Sequence, residues 1–428
     1  MRKIIFLLAL FPALTFGQGI IPTRPGQTTG KVIFSKAFTT PGCYASGTDG
    51  VAITRNSVAT YIDANGNLQT CQANEYRVDA GGIVSEPPRT NSALNSNAMT
   101  VGNAANTGWT ADETPATPAD VPKVGGTWAA VSTTSVTNNS ISTRRSFASS
   151  TKFVVSVYMK KPTGSGKAGL QVYFNPTTYT GCACALSDGS ACTTYNTANS
   201  CLGIAQNVTT TEVRMWLMVT ASAAVSDLYF YAIPNDLGVN KPDTTWFTGY
   251  QIESVPSNHE IFPTSLIVTD STAGGKARAE DRISATIPAM SSKWCIGVTG
   301  TPNPARPWGQ YQATFWNLGT IAGANSSEID WRYWEVYDAA GGSRYTNLYP
   351  AQTVAEHRIA TCVYDGSLKL YIDGTLDTTA IAGTGTGIIS TFPTTLHIGN
   401  RSGAGGAYAG SLKNLKICTG STAAKLCK

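Results

Sequence analysis

Residues 357–417 constrain the fold of this 428-residue chain more than any other segment. Two runs of alternating apolar residues, 359–364 and 368–372, flank the dipeptide Asp365-Gly366. A second pair, Asp373-Gly374, closes the next predicted strand. Asp-Gly between alternating runs is a strong hairpin signal, because a type I′ turn needs a positive φ at both central residues. The segment therefore predicts successive antiparallel strands joined by tight turns.

Two further strands are predicted downstream, at residues 396–400 and 412–417. This order resembles the closing strands of concanavalin A-like, laminin-G-type β-sandwiches, and the resemblance covers residues 283–428. It implies a β-sandwich for this region. The same architecture occurs in lectins, glycan hydrolases and adhesion modules, so the resemblance alone assigns no function.

The composition also favours an all-β protein of two or three domains. Charged residues are 13% of the chain, about half of the usual ~25%. Glycine is plentiful, and no long amphipathic helical pattern occurs between residues 100 and 428. Many short strands joined by polar turns are therefore expected. The net charge of +5 is thinly spread, with no basic run beyond Arg144-Arg145, so no nucleic-acid partner is predicted.

The first 17 residues predict a signal peptide. Arg2-Lys3 supplies the positive start, residues 4–16 are apolar, and Thr15 and Gly17 are small residues at the −3 and −1 positions of a cleavage site. An apolar stretch of about 13 residues is too short for a transmembrane segment, which needs about 20. We expect the protein to be secreted, periplasmic or held at the cell surface. A buried first helix is the alternative.

Ten cysteines agree with export, because an even number in an exported protein indicates disulfides. Four of them crowd into residues 182–201, where a zinc site is the alternative, but Cys182-Ala183-Cys184 lacks the usual ligand spacing. Cys43 and Cys71 bracket the first region and are a candidate pair, whereas the sequence leaves the other pairings open. The disulfide candidates are Cys43, Cys71, Cys182, Cys184, Cys192, Cys201, Cys295, Cys362, Cys418 and Cys427.

The first region, residues 18–95, contains a hairpin-like turn at Asn65-Gly66. Residues 54–79 are similar to a segment of bacteriophage tail and fibre proteins. That segment continues with a Gly-Leu-Leu-Ile-Glu-Glu-x-Arg-Thr-Asn element; residues 82–91 follow it imperfectly, with Pro87 in place of the second carboxylate. The resemblance implies a fibre-like modular adhesin.

The second region, residues 96–267, contains five predicted strands whose spacing suits a jelly-roll sandwich of the carbohydrate-binding-module kind. Residues 251–253, 262–267 and 278–281 match, in order, the passage that closes this domain in the phage proteins. The predicted organisation is a signal peptide (1–17), a small N-terminal β/loop segment (18–95), a jelly-roll-like β-sandwich (96–267), a linker (268–282) and a concanavalin A-like β-sandwich (283–428).

The best candidate for catalysis is the run 328–335, which contains Glu328, Asp330 and Glu335. Some sandwich-fold endoglucanases carry three carboxylates on one strand, which places nucleophile and general acid on the same face. If the run is one strand, alternation places Glu328 and Asp330 on one face and Glu335 on the other. We therefore predict a non-catalytic protein, with a secreted glycoside hydrolase as an alternative.

The same run is rich in aromatic residues, which suit the apolar face of a sugar ring. Asp330 and Arg332 share a face with Trp334 in this interpretation, and charged side chains are rarely buried unpaired. Trp334 is therefore predicted to be exposed, with Trp331 and Tyr333 in the core. The predicted ligand-binding residues are Trp334, Asp330, Arg332 and Trp316.

No cofactor is predicted. The histidines His259, His357 and His397 are widely separated, and ordinary polar roles are expected for them. A calcium site is left open, since laminin-G-type domains often bind this ion. The available carboxylates are Asp338, Asp365 and Asp373, although turn geometry alone accounts for the last two.

These observations together predict an exported, disulfide-supported glycan-binding adhesin or fibre-like surface-recognition protein. The expected partners are glycans on a cell surface. Single-site binding of this kind is weak, so multivalent display through a homo-oligomer would help. The alternatives are the glycoside hydrolase and a purely structural fibre or surface component.

Overall fold

A computed structural model describes part of the chain. The described residues are 30–93, 96, 110–111, 129–133, 141–160, 167–175, 178–185, 193–194, 200–207, 212–233, 243–256, 263–270, 275–288, 290, 292–302, 316–318, 326–329, 333–338, 341–346, 356–364, 367–377, 381–383, 392–399 and 410–427. Within some of these strands only the backbone is described.

Nearly all of the regular structure is strand. The first region contributes β1 (Lys31–Ala37), β2 (Gly42–Ala45), β3 (Val51–Thr54), β4 (Ala59–Ile62), β5 (Leu68–Cys71), β6 (Glu75–Asp79), β7 (Gly82–Val84) and β8 (Arg89–Asn91). The second contributes β9 (Thr110–Ala111), β10 (Ala129–Thr133), β11 (Ile141–Lys160), β12 (Lys167–Asn175), β13 (Thr178–Ala185), β14 (Thr193–Thr194), β15 (Ser200–Asn207), β16 (Glu212–Ile233) and β17 (Asp243–Ser254).

The remainder contributes β18 (Lys276–Arg278), β19 (Arg282–Thr286), β20 (Lys293–Pro302), β21 (Trp316–Leu318), β22 (Ser326–Ile329), β23 (Tyr333–Asp338), β24 (Gly341–Thr346), β25 (His357–Tyr364), β26 (Ser367–Ile372), β27 (Thr375–Leu376), β28 (Ile381–Gly383), β29 (Thr395–Ile398) and β30 (Gly410–Thr419). A 3-10 turn (Thr48–Gly50) and a short helix, α1 (Ala423–Cys427), complete the described elements. Within the described residues, no helix has the length and apolar character needed to cross a membrane.

Two antiparallel sheets enclose the core of the last region. A nine-stranded sheet has the order β2-β6-β7-β30-β20-β25-β26-β27, with β1 also paired to β30. An eight-stranded sheet has the order β28-β24-β23-β22-β21-β29-β19-β3. Side chains from both sheets form one buried cluster, which includes Trp294, Ile296, Trp316 and Ile398. The prediction of an all-β protein built from β-sandwiches is confirmed.

The first region is built into this last sandwich. Strands β1 and β7 both pair with β30, and β3 pairs with β19 at the edge of the eight-stranded sheet. Phe38, Val51, Ile53 and Tyr76 belong to the same buried cluster as the C-terminal strands. A domain division drawn along the sequence misses this strand pairing, because β3 and β19 lie more than 200 residues apart.

The second region forms an eleven-stranded antiparallel sheet of order β14-β13-β12-β16-β11-β17-β8-β18, with β9, β10 and β15 attached at its sides. Its core is separate and contains Val155, Leu217, Phe230 and Ile252. The first region contributes β8 to this sheet, and the predicted linker contributes β18. Part of the predicted linker is therefore a paired strand.

The predicted hairpins are present. Tyr364 pairs with Ser367, so β25 and β26 are joined through the two residues 365–366, which lie outside the described residues. Asp373 and Gly374 have φ values of 50° and 82°, the positive values that a type I′ turn requires. At Asn65-Gly66, the Asp63 carboxylate accepts the backbone N–H groups of Asn65 and Asn67, which organises the turn between β4 and β5.

Three disulfides link described cysteines. Cys43–Cys71 confirms the candidate pair in the first region. Cys295–Cys362 joins β20 to β25, and Cys418–Cys427 ties α1 to the end of β30. The side chains of the remaining candidates, Cys182, Cys184, Cys192 and Cys201, lie outside the described residues.

Candidate functional site

The run proposed for catalysis is two strands. Strand β22 ends at Ile329, β23 begins at Tyr333, and the two pair antiparallel. Glu328 is therefore the direct register partner of Glu335. This corrects the interpretation of the run as one strand, which put the two glutamates on opposite faces. Direct partners in an antiparallel pair share a face of the sheet.

Glu328 and Glu335 belong to a longer row of polar residues. His397 on β29 pairs with Asn317 on β21, which pairs with Glu328. On the other side, Glu335 pairs with Arg344 on β24. We call these five residues on five adjacent strands the polar row.

The polar row occupies the face of the eight-stranded sheet that is turned away from the core. The next row along the strands contains Ile398, Trp316 and Ile329 in register. Ile398 and Trp316 are buried in the core of the sandwich. Because successive residues of a strand alternate between the two faces, the polar row lies on the opposite face.

The described side chains of the polar row are sheltered. Asn317 is 1% exposed, and His397 is half-buried. Burial lowers the pKa of His397 below its ordinary value, so its imidazole is neutral at neutral pH. A neutral imidazole and a primary amide each offer both a hydrogen-bond donor and an acceptor. The side chains of Glu328, Glu335 and Arg344 lie outside the described residues.

Of the four ligand-binding residues predicted from sequence, the structure describes the side chain of Trp316 alone. Trp316 is fully buried, and its ring packs edge-on against Trp294 with centroids 6.5 Å apart. An exposed stacking role for Trp316 is therefore corrected to a core role. Trp334 lies on β23 as the partner of Ile329 and Tyr345. Its side chain lies outside the described residues, as do Asp330 and Arg332.

Of the three carboxylates considered for calcium, Asp373 is engaged by groups of this chain. Its carboxylate lies 2.8 Å from His357 Nδ1 and accepts the backbone N–H of Arg358 at 2.9 Å. Asp365 and the side chain of Asp338 lie outside the described residues. Among the described residues, Cys43, Cys71 and Glu75 bring three ligand-type atoms together. The two cysteines are joined in a disulfide and offer no thiolate to a metal.

A second polar cluster, which we call the buried ionic joint, connects the first region to the predicted linker. It consists of Arg55, Arg77, Glu86, Arg278 and Asp281. Arg55 Nη1 donates to Asp281 Oδ1 at 2.8 Å, and Arg77 Nη2 donates to Glu86 Oε2 at 2.7 Å and to the other oxygen of Asp281. Arg278 forms a further ion pair with Glu86. All five residues come from the segments that resemble phage fibre proteins.

The arginines of the joint hold Glu86 in the ionised state. Burial alone would raise the pKa of Glu86, but the guanidinium groups of Arg278 and Arg77 outweigh this effect and hold the pKa well below its usual range. The Ser265 backbone N–H and hydroxyl also donate to Glu86, at 2.6 Å and 2.8 Å. Both carboxylates of the joint are therefore engaged by groups of this chain, which suits a structural role.

Further polar side chains extend the hydrogen-bond network of the joint into the eleven-stranded sheet. The Asn91 amide donates to the carbonyl oxygens of Tyr250 and Ile267, at 3.1 Å and 2.8 Å, while its oxygen accepts the Ile252 N–H. Glu253 accepts the Thr264 hydroxyl at 2.5 Å. These contacts tie β8 to β17 and to residues 264–267. No such role was predicted for the joint from the sequence, because its residues are far apart in the chain.

Comparisons with known proteins gave similarity to solved structures alone. No model of a protein family matches the chain, and a search of curated proteins found no match. Domain 4 of AbnA, an extracellular GH43 arabinanase from Geobacillus stearothermophilus solved with arabinotriose, is 15% identical with a TM-score of 0.23, over 35% of this chain and 73% of that chain. Domains LG4-5 of the mouse laminin alpha1 chain are 10% identical with a TM-score of 0.22, over 63% and 82%. Similarity at this level carries no functional argument, so the fold assignment rests on the strand pairing above.

Proposed function

We propose that this protein is an exported, non-catalytic glycan-binding protein that recognises surfaces in the manner of an adhesin or fibre. The polar row is its proposed binding surface, and the alignment of five polar residues across five adjacent strands is the observation that carries the proposal. Imidazole, carboxylate and guanidinium groups supply both the donors and the acceptors that sugar hydroxyls require, and the buried Asn317 supports the row from within the sheet.

The dimensions of the polar row suit an extended oligosaccharide. Neighbouring strands lie about 4.8 Å apart, so five strands place the outermost residues of the row roughly 19 Å from each other. Regular spacing along a sheet face matches a polymer of repeating units better than a compact small molecule. Export is supported by the disulfides, which persist in oxidising compartments.

The buried ionic joint supports a role in presentation. It fixes the eleven-stranded sheet against the last sandwich, so that a surface on one keeps its orientation relative to the other. A rigid carrier reduces the ordering cost of binding. Multivalent display would then strengthen weak individual contacts.

One specific observation favours glycoside hydrolysis as a second candidate. Directly opposed residues have Cβ atoms about 4.5–5.5 Å apart, and retaining glycosidases hold their two carboxyl groups about 5–5.5 Å apart. The register pairing of Glu328 with Glu335 is compatible with that spacing. In this candidate one glutamate is the nucleophile and the other the acid and base.

A glycan array probed with the mature chain tests the proposal. Glu328→Gln and Glu335→Gln should each lose binding while the melting temperature stays unchanged. Glu356→Gln is the matched control, because Glu356 is exposed, pairs with Lys413 and lies outside the polar row. Binding that persists in the Glu328→Gln, Glu335→Gln double variant would exclude the polar row. A wild-type chain that binds no glycan would exclude the function.

Release of reducing ends from bound polysaccharides separates the two candidates. Turnover by the wild-type chain that is lost in either glutamine variant would establish the hydrolase. Binding without turnover establishes the non-catalytic protein.

A further inference from the structure

Three cysteines lie side by side on adjacent strands of the nine-stranded sheet. Cys295 on β20 is the register partner of Cys362 on β25 and of Cys418 on β30. It is bonded to Cys362, whereas Cys418 is bonded to Cys427 in α1. Cys295 therefore has a cysteine on each side and a bond to one of them.

The strand register also permits a disulfide between Cys295 and Cys418. The Cα atoms of Cys295 and Cys362 are 4.1 Å apart, the short spacing of a non-hydrogen-bonded antiparallel pair. A central-strand residue paired in this way directs its N–H and C=O to its other neighbour, so Cys295 and Cys418 form the hydrogen-bonded pair, about 5.5 Å apart. That separation lies within the range of about 4.4–6.8 Å between the Cα atoms of natural disulfides.

Helix α1 covers the three cysteines. Cys295, Cys362, Cys418 and Cys427 are all buried, and they share a small cluster with Ala423 on the side of the sheet away from the main core. The carbonyl group of Cys427 approaches Gly297 so closely that a side chain at this position would collide with it. A transient local opening of α1 would expose the Cys418–Cys427 bond to a reductant in solution, whereas the Cys295–Cys362 bond stays covered until α1 is released.

Helix α1 packs on the nine-stranded sheet through Ala423 and Cys427, which are buried, and hydrogen bonds hold it at its start. The Ala424 N–H donates to the Tyr364 hydroxyl at 2.5 Å, and the Gly30 N–H donates to the Thr422 hydroxyl at 2.9 Å. The Tyr364 hydroxyl also lies 3.6 Å from Cys295 Sγ, so the same group contacts both the cover and the covered disulfide. Short elements open locally at lower free-energy cost than the strands of a core. The Cys418–Cys427 bond ties α1 covalently to β30.

We propose that these four cysteines form a disulfide switch, in which release of α1 transfers the bond of Cys295 from Cys362 to Cys418. A dithiol reductant first reduces Cys418–Cys427 to two thiols and is itself oxidised to a disulfide. The Cys418 thiol then loses its proton to solvent, and its thiolate attacks the Cys295 sulfur. The bond to Cys362 breaks, and Cys362 leaves as a thiolate that takes up a proton.

The second step is redox-neutral, since one disulfide replaces another. Its product links β20 to β30 and leaves α1 without a covalent bond to the sheet. When the protein meets a reductant, the switch therefore releases α1 from the sheet. It does not depend on the proposed glycan binding.

Two single variants of the full chain, purified without reductant, test the switch. The Cys427→Ser substitution removes the disulfide partner of Cys418. The Cys362→Ser substitution removes the disulfide partner of Cys295. The proposal expects both variants to contain the same new Cys295–Cys418 bond, with Cys362 free in the first and Cys427 free in the second. Maleimide blocking after acid denaturation, followed by peptide mass mapping, identifies the free thiols. Cys71→Ser is the control and should leave both other disulfides in place.

Wild-type protein treated with limiting dithiothreitol gives a test that does not depend on how the variants fold. Free Cys427 and Cys362 with a Cys295–Cys418 bond are expected. Free Cys418 and Cys427 beside an intact Cys295–Cys362 bond would overturn the proposal. Retention of Cys295–Cys362 with a free Cys418 in the Cys427→Ser variant would overturn it as well.

Discussion

Arg77 and Asp281 are separated by 204 residues in the sequence, yet their side chains form an ion pair from which solvent is fully excluded. Asp281 also binds Arg55, so one carboxylate pairs with two guanidinium groups of the first region. Removing one partner of a buried ion pair leaves an uncompensated charge, which costs more than the pair contributes when intact. The joint is therefore where the fold is most sensitive to a change of charge.

Asp281→Asn should lower the free energy of unfolding by about 3–5 kcal/mol, because Arg55 and Arg77 would remain buried without this counter-charge. Urea denaturation followed by tryptophan fluorescence measures the change. The transition is also expected to broaden or separate in two, since the sandwiches would lose part of their connection.

The control for this prediction is Asp49→Asn. Asp49 forms an ion pair with Lys36, but its carboxylate is 59% exposed. Surface pairs contribute about 0–1 kcal/mol. Equal destabilisation by the two substitutions would show that burial of the joint has no energetic consequence.

The pKa of Glu86 predicts how stability depends on pH. The folded protein holds this pKa well below its usual range, so Glu86 contributes stability that is fully present above the unfolded value of about 4.3. This contribution is lost as the pH falls through the acid range towards the folded pKa. Glu86→Gln should reduce stability at pH 7 and flatten the decline of the unfolding free energy between about pH 4 and pH 2. Parallel curves for wild type and variant, measured by urea denaturation at several pH values, would contradict the assignment.

The burial of Trp316 predicts a defect in stability without a defect in recognition. Trp316→Ala should cost about 3–5 kcal/mol, the usual range for an aromatic core residue. Trp316→Phe should cost less and leave glycan binding by the folded protein unchanged, because the side chain faces Trp294 in the core. Thermal unfolding and the glycan array measure the two effects separately. Loss of glycan binding in Trp316→Phe at an unchanged melting temperature would show that Trp316 contributes to the binding site.

Local signals in the sequence predicted local structure well. The turns at Asp373-Gly374 and Asn65-Gly66 follow from residues that tolerate positive φ, and both are present. The bond between Cys43 and Cys71 was likewise anticipated from their positions around one region.

The functional face could not be read in the same way. Polar and apolar residues alternate from Glu328 to Tyr333, as they would along a single strand. This alternation hid the chain reversal that makes Glu328 and Glu335 register partners. The sequence predicts aromatic and charged residues on both faces of the sheet. The alternation of side chains along a strand therefore did not show whether Trp316 packs in the core. The polar row was missed because register between β29, β21, β22 and β24 is a property of the sheet and has no local signal.

The joint was hidden for a different reason. Arginine and aspartate are almost never fully buried unless they are paired. A pairing such as that of Arg55 with Asp281 joins the two ends of a long insertion, and nothing near either residue reports it. The runs compared with phage proteins contain these residues, but their pairing became clear only from the contacts.

Gly82 and Gly374 give a matched test of how tightly the first region is packed against the last sandwich. Gly374, at φ 82°, lies near the left-handed region, where alanine costs about 1–2 kcal/mol. Gly82, at φ 127°, has a backbone conformation that L-residues rarely adopt, and a side chain there would also collide with the carbonyl group of Leu412 on β30, whereas nothing lies within 4 Å at Gly374. Gly82→Ala should therefore be the more destabilising in urea denaturation, through backbone strain and steric overlap together. If the two variants lose equal stability, β7 can move away from β30 at no cost. The strand pairing that builds the first region into the sandwich would then be looser than the register of Ile83 with Leu412 implies.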